Sequence, residues 1–334
     1  MAVLATKSRP SAAEECKDRR GRNGRHSAAE ELKDRPAGRN DKVRITSIDS
    51  YEMVKKIGEG AYGAVTKARH IDSGETVAIK SSINAGGEAA AALLREAAML
   101  AACAGNPAVV RLREVARGSD LHELHLVMDY VGRSLADVIR SRRRRGQCSF
   151  SESEARGAMA QLLAGAATMH AHGVIHRDLK PGNVLVSEKD GRLKICDLGL
   201  AKSVVAPPTD MDLEGTLGYM APELLLCQKD CGAPVDMWAL GCIMAEIVVG
   251  EPLFTEEDLC QQLISILHLL GIADDISLMP LGVSPPSKLR ERVPEEELSP
   301  EGFDVLQGLL EYNPKDRLTA DAALKKLWFA AKDN

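Results

Sequence analysis

The chain has 334 residues, 45% of them hydrophobic and 27% charged, and carries a net charge of -5. That length holds one large or two ordinary domains, the balance is that of a globular protein, and the charge makes no general case for binding nucleic acid or a membrane surface. The longest apolar candidate, Met237 to Val249, contains Glu246 and reads as a buried helix, not as a bilayer span. The amino terminus lacks the apolar core of a signal peptide. Among the eight cysteines, Cys227 and Cys231 form a Cys-x3-Cys pair with no second pair at zinc spacing. A reducing intracellular setting, nucleus or cytoplasm, is expected.

Residues 1–50 hold 12 Lys/Arg and 8 Asp/Glu, a surplus of +4 that leaves -9 for residues 51–334. Within them Ser11-Ala12-Ala13-Glu14-Glu15-Cys16-Lys17-Asp18-Arg19 recurs as Ser27-Ala28-Ala29-Glu30-Glu31-Leu32-Lys33-Asp34-Arg35. So few apolar residues cannot bury a core, and a disordered tail is expected through residue 50. From Tyr51 the pattern changes. Tyr51 to Ile57, Ala64 to Arg69 and Val77 to Ser81 read as strands, followed by an Ala/Leu-rich helix from Glu88 to Ala101. Further strands are expected at Val109 to Val115 and Leu124 to Asp129, and helices at Phe150 to His172, Val235 to Val249 and Leu259 to Leu270. Strands first and helices after give an α+β fold in two lobes, about 51–129 and 131–329, hinged near Asp129-Tyr130-Val131.

Five short motifs punctuate these elements. Gly58-Glu59-Gly60-Ala61-Tyr62-Gly63-Ala64-Val65 lies between two predicted strands, so its glycines close a hairpin and do not open a helix as a dinucleotide-binding turn would. Val77-Ala78-Ile79-Lys80 follows on the next strand, then His176-Arg177-Asp178-Leu179-Lys180-Pro181-Gly182-Asn183, Asp197-Leu198-Gly199 and Ala221-Pro222-Glu223. In this order the set resembles the eukaryotic protein kinases from about Tyr51 to Phe329.

The resemblance implies a bilobal kinase fold that moves the γ-phosphate of ATP to protein hydroxyls, using Mg²⁺ or Mn²⁺. It implies that Asp178 is the base, that Lys180 meets the γ-phosphate, and that Asn183 and Asp197 hold the metal. Lys80 neutralises the α- and β-phosphates and pairs with Glu96. Leu93 and Leu100 share one helix face with Glu96. Ile57, Gly58, Glu59, Gly60, Ala61, Tyr62, Gly63, Ala64, Val65, Ala78, Met128, Asp129, Val131 and Leu185 would surround the nucleotide. Lys180 followed by Pro181 is similar to the serine/threonine branch.

Val235 to Glu246, Glu251-Pro252-Leu253-Phe254 and Leu309 to Ala320 look like the cyclin-dependent kinases, with Arg317 paired to Glu223; the chain is similar to a divergent plant member of that family. That implies protein substrates, signalling tied to the cell cycle or transcription, and a cyclin as the family's usual partner. Nucleic acid and membrane are not implied. Three departures stand out. The cyclin-contacting helix is Glu88-Ala89-Ala90-Ala91-Ala92-Leu93-Leu94-Arg95-Glu96, whose alanines favour helix without help and bring cyclin dependence into question. Met220 occupies the arginine position linked to a following proline in the substrate. Met211 falls where the activating threonine would be, although Arg95, Arg177 and Lys202 supply the expected phosphate receptors; Thr209 is the nearest hydroxyl, Asp210 and Asp212 carry fixed charge, and Thr216 lies further on in the same segment. A cyclin-independent kinase of a neighbouring group and a pseudokinase scaffold remain as alternatives, the latter opposed by the presence of Lys80, Asp178, Asn183 and Asp197. The run Arg142 to Arg145 is expected as a loop between two helices, either solvated or serving docking or nuclear import.

Overall fold

The computed structural model describes residues 44–60, 63–82, 87–120, 123–147, 150–205, 214–229, 231–271 and 286–330. The duplicated tail segment, Ala61, Tyr62, Thr209, Asp210, Met211 and Asp212 lie outside them. The first part is mainly sheet: β1 (Arg44–Ser47), β2 (Tyr51–Gly60), β3 (Gly63–His70), β4 (Thr76–Ser81), α1 (Gly87–Ala102), β5 (Leu112–Arg117) and β6 (Leu124–Asp129). Six strands form one sheet in the order β1-β5-β6-β4-β3-β2.

The remainder is mainly helical. It runs β7 (Gly132–Ser134), α2 (Leu135–Arg144), α3 (Glu152–Ala171), β8 (Val174–Ile175), β9 (Val184–Ser187), β10 (Leu193–Ile195), β11 (Lys202–Ser203) and α4 (Pro222–Leu225). Then follow α5 (Pro234–Val249), α6 (Leu259–Leu270), α7 (Leu289–Arg292), α8 (Pro300–Leu309), α9 (Ala320–Leu324) and α10 (Leu327–Ala330). The α+β organisation and the division into a sheet-rich and a helix-rich part are as expected.

Local chemistry explains the helix limits. Ser151 and Glu154 form a reciprocal capping box at the start of α3. Asp258 caps α6, and Gly271, at φ 67, ends it in the left-handed conformation that glycine tolerates. In α1 the buried positions Ala90, Leu93, Glu96, Ala97 and Leu100 form one stripe, so a carboxylate is carried inward on an otherwise apolar face. Helix α5 is apolar all round and sits in the main core, with Trp238 wholly buried and stacked 6.2 Å from Phe254.

Two expectations need correction. The tail does not run to residue 50. Arg44–Ser47 adds a parallel strand to β5, pairing Arg44 with Glu114 and Ser47 with Arg117. Thr46 Oγ1 donates to Glu114 Oε1 at 2.7 Å, the same oxygen that accepts from the Tyr51 hydroxyl. Tyr51 packs with Ala68, Val77, Ile79, Ala116 and Val127 in a second, smaller core, so the strand is fastened to apolar burial as well as to the ladder.

The basic run is not a loop either. Arg142, Arg143 and Arg144 form the last turn of α2, where cations complement the carbonyl end of the helix dipole. Arg142 donates to both Glu154 carboxylate oxygens, at 3.0 and 3.2 Å, and lies 4.2 Å over the Phe150 ring. Arg143 meets Glu251 at 2.7 Å, while Arg144 and Arg145 are exposed.

Candidate active site

Separate stretches of chain meet at one cleft. β4 contributes Lys80, α1 contributes Glu96, the loop after β8 contributes Asp178 and Lys180, and the turn after β10 contributes Asp197. Lys80 Nζ donates to Glu96 Oε2 at 2.7 Å and to Asp197 Oδ1 at 2.6 Å. Lys80 is 5% exposed and Glu96 2%. Buried charges persist only when paired, and here one ammonium meets two carboxylates. Burial drags the Lys80 pKa down, but Glu96 and then Asp197 outweigh it and hold the amine above its ordinary value. Burial likewise works against ionised Asp197, yet Lys80 holds that carboxyl below the usual range. On Glu96, burial prevails over Lys80 and pushes the carboxyl up. The short contacts of one lysine with both acids, and its raised pKa, make Lys80 the fixed positive charge of the group.

Across the cleft Asp178 is held by three donors. Lys180 Nζ at 2.8 Å and Asn183 Nδ2 at 3.0 Å reach Oδ2, and Thr216 Oγ1 at 2.7 Å donates to Oδ1. Lys180 Nζ also donates to Thr216 Oγ1 at 2.6 Å. Thr216, grouped from sequence with the activation segment, therefore stands directly on the carboxylate expected to be the base.

Beneath this group lies Asp236 of α5, 1% exposed, accepting the backbone N–H groups of His176 and Arg177, each at 2.8 Å. His170 Nε2 lies 2.8 Å from it, and His176 Nε2 lies 3.0 Å from the Cys196 carbonyl. Burial opposes the ionised form, but His170 leads the contacts that keep the Asp236 pKa low. Arg177 and Asp197 take φ of 69° and 63°, values that cost non-glycine residues about 1–3 kcal/mol and persist where the surroundings impose them. The bonds to Asp236 and Lys80 are those surroundings. Sequence reasoning missed Asp236 as a positioning residue; the signal was an acid inside an apolar helix, which burial permits only with partners.

The cleft measures about 980 Å³, large for a small-molecule site. At one end it is lined by Ile57, Val65, Ala78, Met128 and Leu185, and at the other by Lys80, Asp178, Lys180, Asn183 and Asp197. Gly58, Glu59, Gly63, Asp129 and Val131 also line it; Ala64 does not. Gly60 pairs with Gly63 at the hairpin end, and at Gly63, φ 154°, a Cβ would stand 2.4 Å from the Ser81 carbonyl oxygen. A flat apolar slot beside concentrated charge fits a nucleobase with a polyphosphate. Asn183 uses Nδ2 on Asp178 and Asp197 uses Oδ1 on Lys80, which leaves oxygens of both for a hard cation that keeps phosphates and water as its other ligands.

The residues expected to receive an activating phosphate are spread over several elements. Arg95 is exposed on α1, Arg177 belongs to the loop held by Asp236, and Lys202 pairs with Ile175 in the β11–β8 ladder. Among the described residues neither Arg95 nor Lys202 has an ion-pair partner. Glu223 and Arg317 form a buried bidentate pair at 2.7 and 2.9 Å, with further Arg317 bonds to the carbonyls of Glu311, Tyr312 and Pro234.

A cleft of this form, with paired lysine and carboxylates facing a fixed aspartate, is suited to phosphoryl transfer. The family described as "Protein kinase domain" matches residues 51–329, and the chain belongs to it. It is 45% identical over 305 residues, 86% of this chain and 91% of the relative, to a putative cyclin-dependent kinase F-2 of Oryza sativa subsp. japonica. It is 37% identical to cyclin-dependent kinase B2-2 of Arabidopsis thaliana over 86% of this chain and 95% of that one. To cyclin-dependent kinase G-2 of Oryza sativa subsp. japonica it is 38% identical, over 85% of this chain but 42% of the longer relative. The chain is a cyclin-dependent-kinase-like serine/threonine protein kinase, and neither the pseudokinase scaffold nor a neighbouring kinase group is favoured. ATP and a divalent metal are used by the family in general. Among the described residues no helix is long and apolar enough to cross a membrane.

Proposed function

We propose that this kinase phosphorylates serine or threonine in protein substrates, with Asp178 accepting the hydroxyl proton. The observation that carries the reading is the fixed Asp178 carboxylate, tied by Lys180, Asn183 and Thr216 and facing the Lys80–Glu96–Asp197 group across one cleft. A base held in one rotamer meets the incoming hydroxyl without rearrangement. Lys180 bonds both Asp178 and Thr216 and offers its remaining charge to the transferred phosphoryl group. Lys80 would hold the inner phosphates, and Ile57, Val65, Ala78, Met128 and Leu185 would enclose the adenine. Asn183 and Asp197 would hold Mg²⁺, or Mn²⁺ in its place; when bound, the metal neutralises phosphate charge.

A second reading concerns activation. The Lys80–Glu96 pair is closed at 2.7 Å on a helix that carries four consecutive alanines, Ala89 to Ala92, in its first turns. This supports a helix that keeps Glu96 in place by itself, so a cyclin raises activity little. Phosphorylation of Thr209 or the fixed charge of Asp210 and Asp212 would serve the neighbouring segment. The sites of action would be the nucleus or the cytoplasm. The test is Mg²⁺-dependent transfer of labelled phosphate from ATP to a generic protein substrate by the purified chain, with and without an added cyclin. Transfer in both conditions is expected. Failure without cyclin and rescue with it would overturn the self-held helix, and failure in both would overturn the assignment of Asp178.

A further inference from the structure

Glu214 lines the catalytic cleft together with Gly215, Thr216, Asp178 and Lys180. Thr216 Oγ1 donates to Asp178 Oδ1 at 2.7 Å, so an acceptor hydroxyl delivered to that carboxylate must arrive beside Thr216. Two residues of chain span at most about 7 Å, which keeps Glu214 within that distance of Thr216. A substrate strand passing this floor therefore brings the neighbours of its acceptor, not distant residues, against Glu214.

The floor between Glu214 and Thr216 is bare. Gly215 has φ 134°, and a Cβ there would lie 3.2 Å from the Arg177 carbonyl oxygen and 3.3 Å from the Met220 methyl carbon. Met220 is buried and offers no charge or hydrogen bond. Among the described residues at this step, neither Gly215 nor Met220 offers a polar side-chain contact to a substrate neighbour.

Glu214 differs from everything around it. It is half-buried and, among the described residues, makes no hydrogen bond or ion pair. Two cations of the neighbouring catalytic loop are already engaged. Lys180 bonds Asp178 and Thr216, and Arg177 has partners of its own. Each other carboxylate of the catalytic group is matched: Asp178 by Lys180, Asp197 and Glu96 by Lys80. Among the described residues that line the cleft, the carboxylate without a partner is that of Glu214.

We infer that Glu214 is a specificity-determining residue that selects substrates carrying arginine or lysine within two positions of the acceptor serine or threonine, with no requirement for proline beside it. The inference rests on Asp178 being the base. An ion pair formed at a partly exposed site gains a modest energy, so the preference for a basic over a neutral neighbour should be about fivefold in kcat/KM. It should shrink as salt rises, because the screening length falls to about 3 Å at 1 M.

The experiment uses the full chain, ATP and Mg²⁺, with a set of serine peptides that differ only in arginine, glutamine or glutamate at each of the two positions on either side of the acceptor, each followed by alanine or proline. The readout is the ratio of kcat/KM values within one enzyme, which an overall loss of activity or fold does not move. Wild type should favour arginine about fivefold, Glu214→Gln should bring the ratio close to one, and Glu214→Lys should favour glutamate. Equal ratios in all three enzymes, or a strict need for proline, would overturn the inference while leaving Asp178 as base. No transfer to any peptide or generic protein would overturn both together.

Discussion

Between Lys80, Glu96 and Asp197, and again between Asp178, Lys180, Asn183 and Thr216, charged atoms meet partners within 3.0 Å. At Glu214, Gly215 and Met220 the pattern is different: a carboxylate without a partner among the described residues, a glycine at positive φ and a buried methionine. The first region works on atoms common to every nucleotide and every hydroxyl, so any change in its geometry is felt by all substrates. The second, in the role inferred for Glu214, would meet what distinguishes one protein substrate from another. A chain can alter the second without dismantling the first.

The comparison breaks most readily at the far end of the substrate-facing stretch, where Glu223 is pinned by Arg317. Removing one partner of a buried bidentate pair strands the other charge, so Arg317→Ala should cost about 3–5 kcal/mol, measured by urea unfolding. A loss under 1 kcal/mol would mean that the stretch is not anchored there. On the catalytic side, Asp178→Ala should lower kcat about a hundredfold or more. A variant as active as wild type removes Asp178 from the chemistry.

A smaller effect tests the join between the two regions. The Tyr219 hydroxyl donates to Glu246 Oε2 at 2.5 Å inside the core, and Tyr219→Phe should cost about 1–3 kcal/mol by leaving that carboxyl without its donor. Burial pushes the Glu246 pKa up, with the Tyr219 bond opposing it. The folded chain thus keeps the proton to higher pH than the unfolded chain, and stability falls as pH rises from the ordinary glutamate value through the raised one. Glu246→Gln should flatten that limb of the stability–pH curve. Asp236 acts with the opposite sign. Its folded pKa is lowered, so its contribution is complete above the ordinary aspartate value and is lost as pH falls through the lower folded value. The acid limb should move toward neutrality in Asp236→Asn, and an unmoved limb would deny Asp236 its ionised role.

Much of this arrangement was legible in the residues. Leu259–Leu270 came out at both ends as read, because Asp258 and Gly271 are explicit stop signals. Leu124–Asp129 did so because its apolar run is bounded on either side. Val109 and Val110 misled: their β-branched side chains are buried, but Val109 makes only an isolated bridge to Ile195, and the strand begins at Leu112. That choice of partner is tertiary, and no local preference carries it. The same holds at the site. Motif order gave Lys80, Glu96, Asp178, Asn183 and Asp197, but the Thr216 bond to Asp178 spans 38 residues and the Asp236 bonds to the catalytic loop span about 60. Arg142 reads as solvated in the sequence, but Glu154 of the next helix and Phe150 just before that helix pack against it.

The strand at Arg44–Ser47 has a practical consequence. Its ladder with β5 covers the outer row of peptide groups of the longer strand and leaves only a four-residue strand at that edge of the sheet. Exposed rows of that kind template pairing with other chains. A shortened chain beginning at Tyr51, where the family match begins, would keep every catalytic residue and lose that cover. Its defect should be self-association at high protein concentration, visible as a sedimentation shift, while its catalytic residues stay in place.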